Sequence, residues 1–199
     1  MMADPKEQPT IPTQSSKLAY IAYPLDLNLQ AANSVQTWHT ARELRRLDPR
    51  TLVIVPRLPG QASRFDVVGA KYLPRVPVGK LSKFYKSTGW YYIERSIFAL
   101  LAFLYLFWRR LTGRKVAVIY SRDVIISYWF ATIWKRLLGA KLIYEVHEVE
   151  SEGSHRARGR FWQPILRRID RGALTRSDGL ASLTHAFVPT AVRLGVSPR

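Results

Sequence analysis

Six short apolar runs, each cut off by proline, glycine or a polar cluster, alternate with stretches whose apolar residues recur at helical spacing. Lys17–Tyr23 (KLAYIAY), ended by Pro24, predicts a first strand. After a loop over Pro24–Asn33, Asn33 or Ser34 is placed to cap a helix carrying Val35, Trp38, Ala41, Leu44 and Leu47, and Pro49 stops it. Thr51–Val55 (TLVIV) predicts a second strand closed by Pro56, with a turn at Pro59 and Gly60. Phe65–Leu73 predicts a third, weaker strand. Val116–Tyr120 (VAVIY), Lys141–Val146 (KLIYEV) and Gly179–Thr184 (GLASLT) predict the fourth to sixth. Between them fall a helix over Val124–Leu138, ended by Gly139, and a basic helix over Arg160–Arg176. A short helix over Phe187–Leu194 follows, with Gly195 at its C-terminal cap. Strands and helices alternating at this spacing predict the α/β class, with a doubly wound, mostly parallel, Rossmann-like sheet.

One stretch fits this pattern less well. Lys80, Lys83 and Lys86 precede Trp90, Tyr91 and Tyr92, and then comes Ile97–Trp108 (IFALLAFLYLFW). That run is shorter than the about 20 residues a bilayer span needs, and extending it back to Gly89 takes in Glu94 and Arg95. Three readings stay open: a buried crossover helix, a helix lying partly on a membrane, and a true span. Residues 1–16 (MMADPKEQPTIPTQSS) are polar and lack the apolar core of a secretory signal. They read as a disordered lead-in to one domain over residues 17–199.

Composition narrows the partners. The 199 residues include 31 Lys+Arg against 14 Asp+Glu, a formal charge of +17, which favours an anionic partner: nucleic acid, an acidic membrane surface or a phosphorylated substrate. The chain has no cysteine, which excludes disulfides and thiolate metal sites and fits a reducing compartment. No G-x-G-x-x-G follows the first strand, where the loop reads LNLQAANS, and no Walker sequence or G-x-S-x-G elbow occurs.

In an open parallel sheet, ligands bind beyond the carboxyl ends of the strands. Polar residues gather at those ends: Asp26, Asn28, Gln30, Asn33 and Ser34 after the first strand; Ser121, Arg122 and Asp123 after the fourth. His147, Glu148, Glu150 and Glu152 follow the fifth, and Thr184 and His185 the sixth. In the YSRD run, Arg122 and Asp123 form either a local ion pair that orders the turn, with Asp123 capping the next helix, or a site where Arg122 faces an anionic substrate group. In the EVHEVE run, His147 is placed to exchange a hydrogen bond with a sugar hydroxyl near neutral pH, or to serve as a structural strand-end histidine. Period-two geometry puts Glu145 and His147 on one face and Glu148 on the other, so convergent metal ligation is not implied and no metal is expected. Arg156, Arg158, Arg160, Arg167, Arg168, Arg171 and Arg176 crowd one region opposed by Asp170 alone. They form a solvated basic face, a lipid-headgroup surface or, less favoured for want of any recognised motif, a nucleic-acid surface.

Three segments resemble the amino-terminal domain of family 4 glycosyltransferases, the retaining GT-B group. They are Val116–Asp123, Gly139–Glu148 (GAKLIYEVHE) and Ser177–Arg199 (SDGLASLTHAFVPTAVRLGVSPR). The likeness runs over most of residues 17–199. It implies one half of a GT-B architecture: an acceptor-side domain, working with a donor-binding carboxy-terminal domain that lies outside this sequence or on a separate chain. The implied partners are a nucleotide-sugar donor and a glycan or lipid-linked acceptor, with no cofactor; the basic charge adds an anionic membrane surface as a candidate partner, and the expected location is cytoplasmic, either free or peripheral on the inner face of the cell membrane. By position His147 is similar to the family histidine beside the transferred sugar and is the expected catalytic residue. Asn28, Asn33, Ser34, Arg122, Glu148 and Thr184 are the expected substrate-binding residues. The family's first-strand loop is usually Gly-rich and approaches the donor phosphates, whereas Ala31, Ala32 and Asn33 stand there in this chain. The alternatives are a non-catalytic membrane-docking or scaffold subunit of a split transferase, and a basic nucleic-acid-binding domain.

Overall fold

The computed structural model of the chain describes residues 16–77, 88–147, 149–153, 162–182 and 184–197. The strands are β1 (Leu18–Ile21), β2 (Leu52–Arg57), β3 (Lys71–Pro74), β4 (Val118–Ser121), β5 (Lys141–Val146) and β6 (Gly179–Ser182). They form one sheet in the order β3-β2-β1-β4-β5-β6, with every neighbouring pair parallel. The expected α/β, doubly wound, Rossmann-like architecture is present, and the sheet is parallel throughout. Strands enclosed on both faces need near-continuous apolar runs; Tyr20, Ile21, Ile54, Ile119 and Leu142 are accordingly buried completely.

Helix α1 (Ala32–Leu47) covers one face, where Ala41, Trp38 and Leu44 meet Tyr20, Val53, Val55 and Phe65. The other face carries α2 (Thr88–Leu111), then α3 (Val124–Trp129) continuing through a π-helical turn, Phe130–Trp134, into α4 (Lys135–Leu138). A four-residue α5 (Glu150–Gly153) precedes α6 (Trp162–Arg176), and α7 (Val188–Arg193) ends the order. α2 and the π turn pack on Ala19, Ile21, Ile119 and Leu142; α3 and α6 pack on Tyr144 and Val146. In a π turn residues five apart share a side. Trp129 and Trp134 therefore stack at 5.7 Å, and Phe103 of α2 stacks on Trp134 at 5.0 Å. Helix α2 is thus a crossover from β3 to β4 with one side buried on the sheet. A spanning helix would have to withdraw Phe98, Ala102 and Leu106 from that core.

Local details depart from the sequence reading. Phe65–Leu73 is not one strand: Arg64–Val68 is a 3-10 helix whose Ser63 cap accepts from the Phe65 amide, and Gly69 closes it at φ 56°. Only Lys71–Pro74 pairs with β2. Pro56 does not close β2 but lies within it, opposite Leu73. The Ile54 carbonyl is turned toward β1, where it accepts from the Ala22 amide, and the Arg57 carbonyl toward β3, where it accepts from Arg75. By alternation Pro56 faces the β1 side, past the last β1 rung, so its missing donor breaks no ladder bond. The α1 cap is neither Asn33 nor Ser34. Ala31 holds that position without a side-chain bond, and both expected caps lie inside the first turn.

Candidate functional site

Strand order reverses between β1 and β4. The chain leaves β1 for α1 on one face and leaves β4 for α3 on the other, so the two connections diverge and open a crevice beyond the strand ends. A cleft of about 280 Å³ lies there. Tyr23 lines it from the β1–α1 connection, Asn33 from the first turn of α1, Arg122 and Asp123 from just past β4, Tyr144 from β5 and His147 from just past it, and Tyr91 and Arg95 from the first turns of α2. A larger groove of about 670 Å³, between α3 with its π turn and α6, lies away from the strand ends.

Arg122 is 7% exposed, and its Nη2 donates to Gln36 Oε1 at 3.0 Å. Its Nε and Nη1 are buried without a well-formed hydrogen bond among the described residues, as are Ser121 Oγ, Tyr20 Oη and Glu145 Oε2, although the Tyr20 phenol lies close enough to interact with the guanidinium. A buried guanidinium with open donors is costly unless a ligand or neighbouring charge compensates it. Part of the compensation is Glu145. Burial opposes its ionisation, but the bond to His147 and the Arg122 charge outweigh that and hold the carboxyl below its usual range. Burial raises the Tyr20 and Tyr120 phenols, so both stay protonated.

His147 Nε2 lies 2.7 Å from Glu145 Oε1. An ionised carboxylate only accepts, so Nε2 carries the proton in this pair, and Nδ1 is the nitrogen left for a ligand. Arg95 lies opposite, its guanidinium over the Tyr91 ring at 3.4 Å and the Tyr23 ring at 4.5 Å. Its Nε donates to Asp123 Oδ2 at 2.7 Å. Asp123 does cap α3, accepting from the Ile125 and Ile126 amides, but its ion partner is Arg95 rather than the adjacent Arg122.

The loop after β1 is tied by its own carboxylate. Asp26 accepts the amides of Asn28 and Gln30 through Oδ1 and of Ala31 through Oδ2, at 2.8–3.0 Å. Partial burial works against the charge, yet the Gln30 and Ala31 amides and the Ser34 hydroxyl hold Asp26 below its usual range. Within this knot Leu29 adopts φ 64°, a left-handed conformation that a leucine rarely takes. The anion that a helix N-terminus attracts is supplied here from within the chain.

Of the expected site residues, Asn33, Arg122 and His147 meet in the cleft. Ser34 is fully buried, and its Oγ accepts from the Asp26 amide at 3.0 Å, so it braces the loop. Asn28 is exposed within the Asp26 knot and does not line the cleft. Thr184 lies past β6 on the same edge of the sheet, exposed, outside the cleft lining. Glu148 lies outside the described residues, as do Lys80, Lys83, Lys86, Arg156, Arg158 and Arg160. Sequence reasoning missed Tyr91 and Arg95. Their i, i+4 spacing puts both on one helix side, but it does not reveal that this side reaches the strand ends.

A parallel sheet with a polar crevice at its switch point defines an α/β ligand-binding domain. Its family follows from comparison: the family model described as a glycosyl transferase 4-like domain matches residues 34–199, and the chain belongs to that family. Comparison with curated proteins finds no match. Its function is that of a glycosyltransferase domain, which implies a sugar donor and an acceptor.

Proposed function

We propose that this domain is the acceptor-binding half of a retaining transferase of GT-B architecture, moving a sugar from a nucleotide sugar to a membrane-associated or polysaccharide acceptor. In this reading a second α/β domain, in continuation of the sequence or on another chain, holds the donor nucleotide. One observation carries the proposal. The Gln30 and Ala31 amides just before α1 are already bound by Asp26, whereas the adjacent cleft is lined by the Arg122 guanidinium and the His147 imidazole. Asp26 therefore already holds the Asn28, Gln30 and Ala31 amides for which a diphosphate would have to compete, and the cleft is suited to hydroxyl and anionic groups of an acceptor. His147 Nδ1 accepts from an acceptor hydroxyl, Arg122 pairs with an anionic acceptor group, and Asn33 adds a neutral hydrogen bond. Catalysis is then largely positioning within a closed interdomain cleft.

Ligand-observed NMR on the purified chain tests this with nucleotide sugars on one side and acceptor oligosaccharides on the other. Acceptors should bind, and His147→Ala and Arg122→Met should each weaken them roughly tenfold, the scale of one lost polar contact. Tight binding of a nucleotide sugar to the chain alone, or acceptor binding unaltered in both variants, would refute the assignment. A non-catalytic membrane-docking subunit is the second reading, favoured by the exposed apolar side of α2.

A further inference from the structure

The side of α2 turned away from the sheet is apolar and uncovered. Leu100, Leu104, Trp108 and Leu111, at helical spacing, are 45%, 51%, 66% and 65% exposed. On the same outer surface Ile133 and Leu137 are exposed one turn apart, and Ile133 opens into the groove between the π turn and α6. That groove is lined on the α6 side by Arg167, Arg168, Arg171 and Arg176, all exposed.

The charge on this layer has one sign. α2, α3–α4 and α6 together carry only two carboxylates, Glu94 and Asp170. Glu94 is bound to Tyr23 and Arg75, and Asp170 is buried, accepting the Glu150 and Ser151 amides. Neither offsets the outer arginines. An exposed apolar stripe with a tryptophan near its end, flanked by arginines that no carboxylate of these helices offsets among the described residues, matches the boundary between acyl chains and anionic headgroups.

We propose that this outer helix surface docks in the plane of an anionic phospholipid bilayer, with the α2 stripe entering the headgroup–acyl boundary and the α6 groove taking lipid phosphates. Gly89–Leu111 is apolar and long enough to cross a bilayer, but its inner side already serves as core, so it lies on the surface. The proposal goes beyond the acceptor reading and does not depend on it. The two meet at Tyr91 and Arg95, where the first turns of the docked helix line the cleft.

The test is sedimentation of the full chain with vesicles of phosphatidylcholine alone and of equal parts phosphatidylcholine and phosphatidylglycerol, at low and high salt. Binding should require the anionic lipid and weaken with salt. Arg167→Gln with Arg168→Gln should reduce it about 25-fold, taking roughly fivefold per basic residue. Leu104→Gln with Trp108→Gln should reduce it at least about tenfold at either salt. Circular dichroism checks the fold of each variant. As a second readout, Trp108→Leu keeps vesicle binding but loses part of the tryptophan quenching by brominated lipid. The proposal is overturned if both double variants sediment like the parent chain or if quenching is unchanged in Trp108→Leu. It is equally overturned if vesicles fail to bind while the stripe variants abolish self-association or the arginine variants abolish oligonucleotide binding.

Discussion

Arg95 fastens α2 to the start of α3, and removing it should show how much that link contributes. The Arg95 and Asp123 side chains are 7% and 10% exposed and meet at 2.7 Å. Arg95→Met keeps the apolar stem against the Tyr23 and Tyr91 rings, so little volume is lost. It leaves the Asp123 charge buried, eased only by the two amides that Asp123 caps. Breaking a buried pair from one side costs about 3–5 kcal/mol, and the capping amides place this case at the lower end, ~3 kcal/mol. For a chain of this length that is a fall in Tm of about 6–12 °C. Asp123→Ser keeps a capping oxygen but strands the Arg95 cation, at a similar cost. The double variant strands nothing and should lose only about 1 kcal/mol. Urea titrations of all four proteins, followed by circular dichroism, should give a coupling of at least ~2 kcal/mol. Single losses that simply add in the double variant would show that the pair is not the link the geometry describes.

Asp26→Asn should loosen the β1–α1 loop by about 1 kcal/mol at neutral pH, read by the urea midpoint. Because the folded carboxyl titrates below its ordinary value, its contribution is present above the unfolded pKa and disappears as pH falls through the folded one. The parent and variant curves should therefore converge below about pH 4; a constant gap down to the acid limit would contradict the Asp26 knot. Gly172→Ala should destabilise despite better helix propensity, by about 1–2 kcal/mol in thermal melts, because the added Cβ would lie 2.7 Å from the Tyr128 ring. With Tyr128→Ala in place the same change should turn favourable, and failure to reverse sign would argue against close α3–α6 packing.

Much of the fold was legible in the sequence because enclosed parallel strands must be apolar throughout. Lys141–Val146 matches β5 residue for residue, β1 and β6 lie within their expected runs, and β4 starts two residues later than expected and ends one residue later, at Ser121. The errors fell where local pattern is ambiguous or the partner is distant. Phe65 and Val68, both buried and three apart, suit a 3-10 turn as well as a ragged strand. Ser34 looks like a cap until Asp26, eight residues earlier, is seen to hold that end of α1. Asp123 has an arginine beside it in sequence, yet chooses one from α2. In the cleft, strand-end logic found Arg122, His147 and Asn33 because parallel strands must deliver their carboxyl ends to one edge. It had no means of finding Arg95, which comes from a helix start.

The same seam that opens the cleft also constrains how the molecule is made. β1 pairs with β4, joining Ile21 to Ser121 from opposite halves of the chain. During synthesis β1 can gain β2 early, but its other edge waits until β4 has emerged from the ribosome. Until then a short apolar strand with unpaired amides and carbonyls is open to any passing strand. A nascent chain stalled before Val118 should accordingly be the aggregation-prone species, and the crevice cannot form until β4 has joined β1 and β5 has followed it.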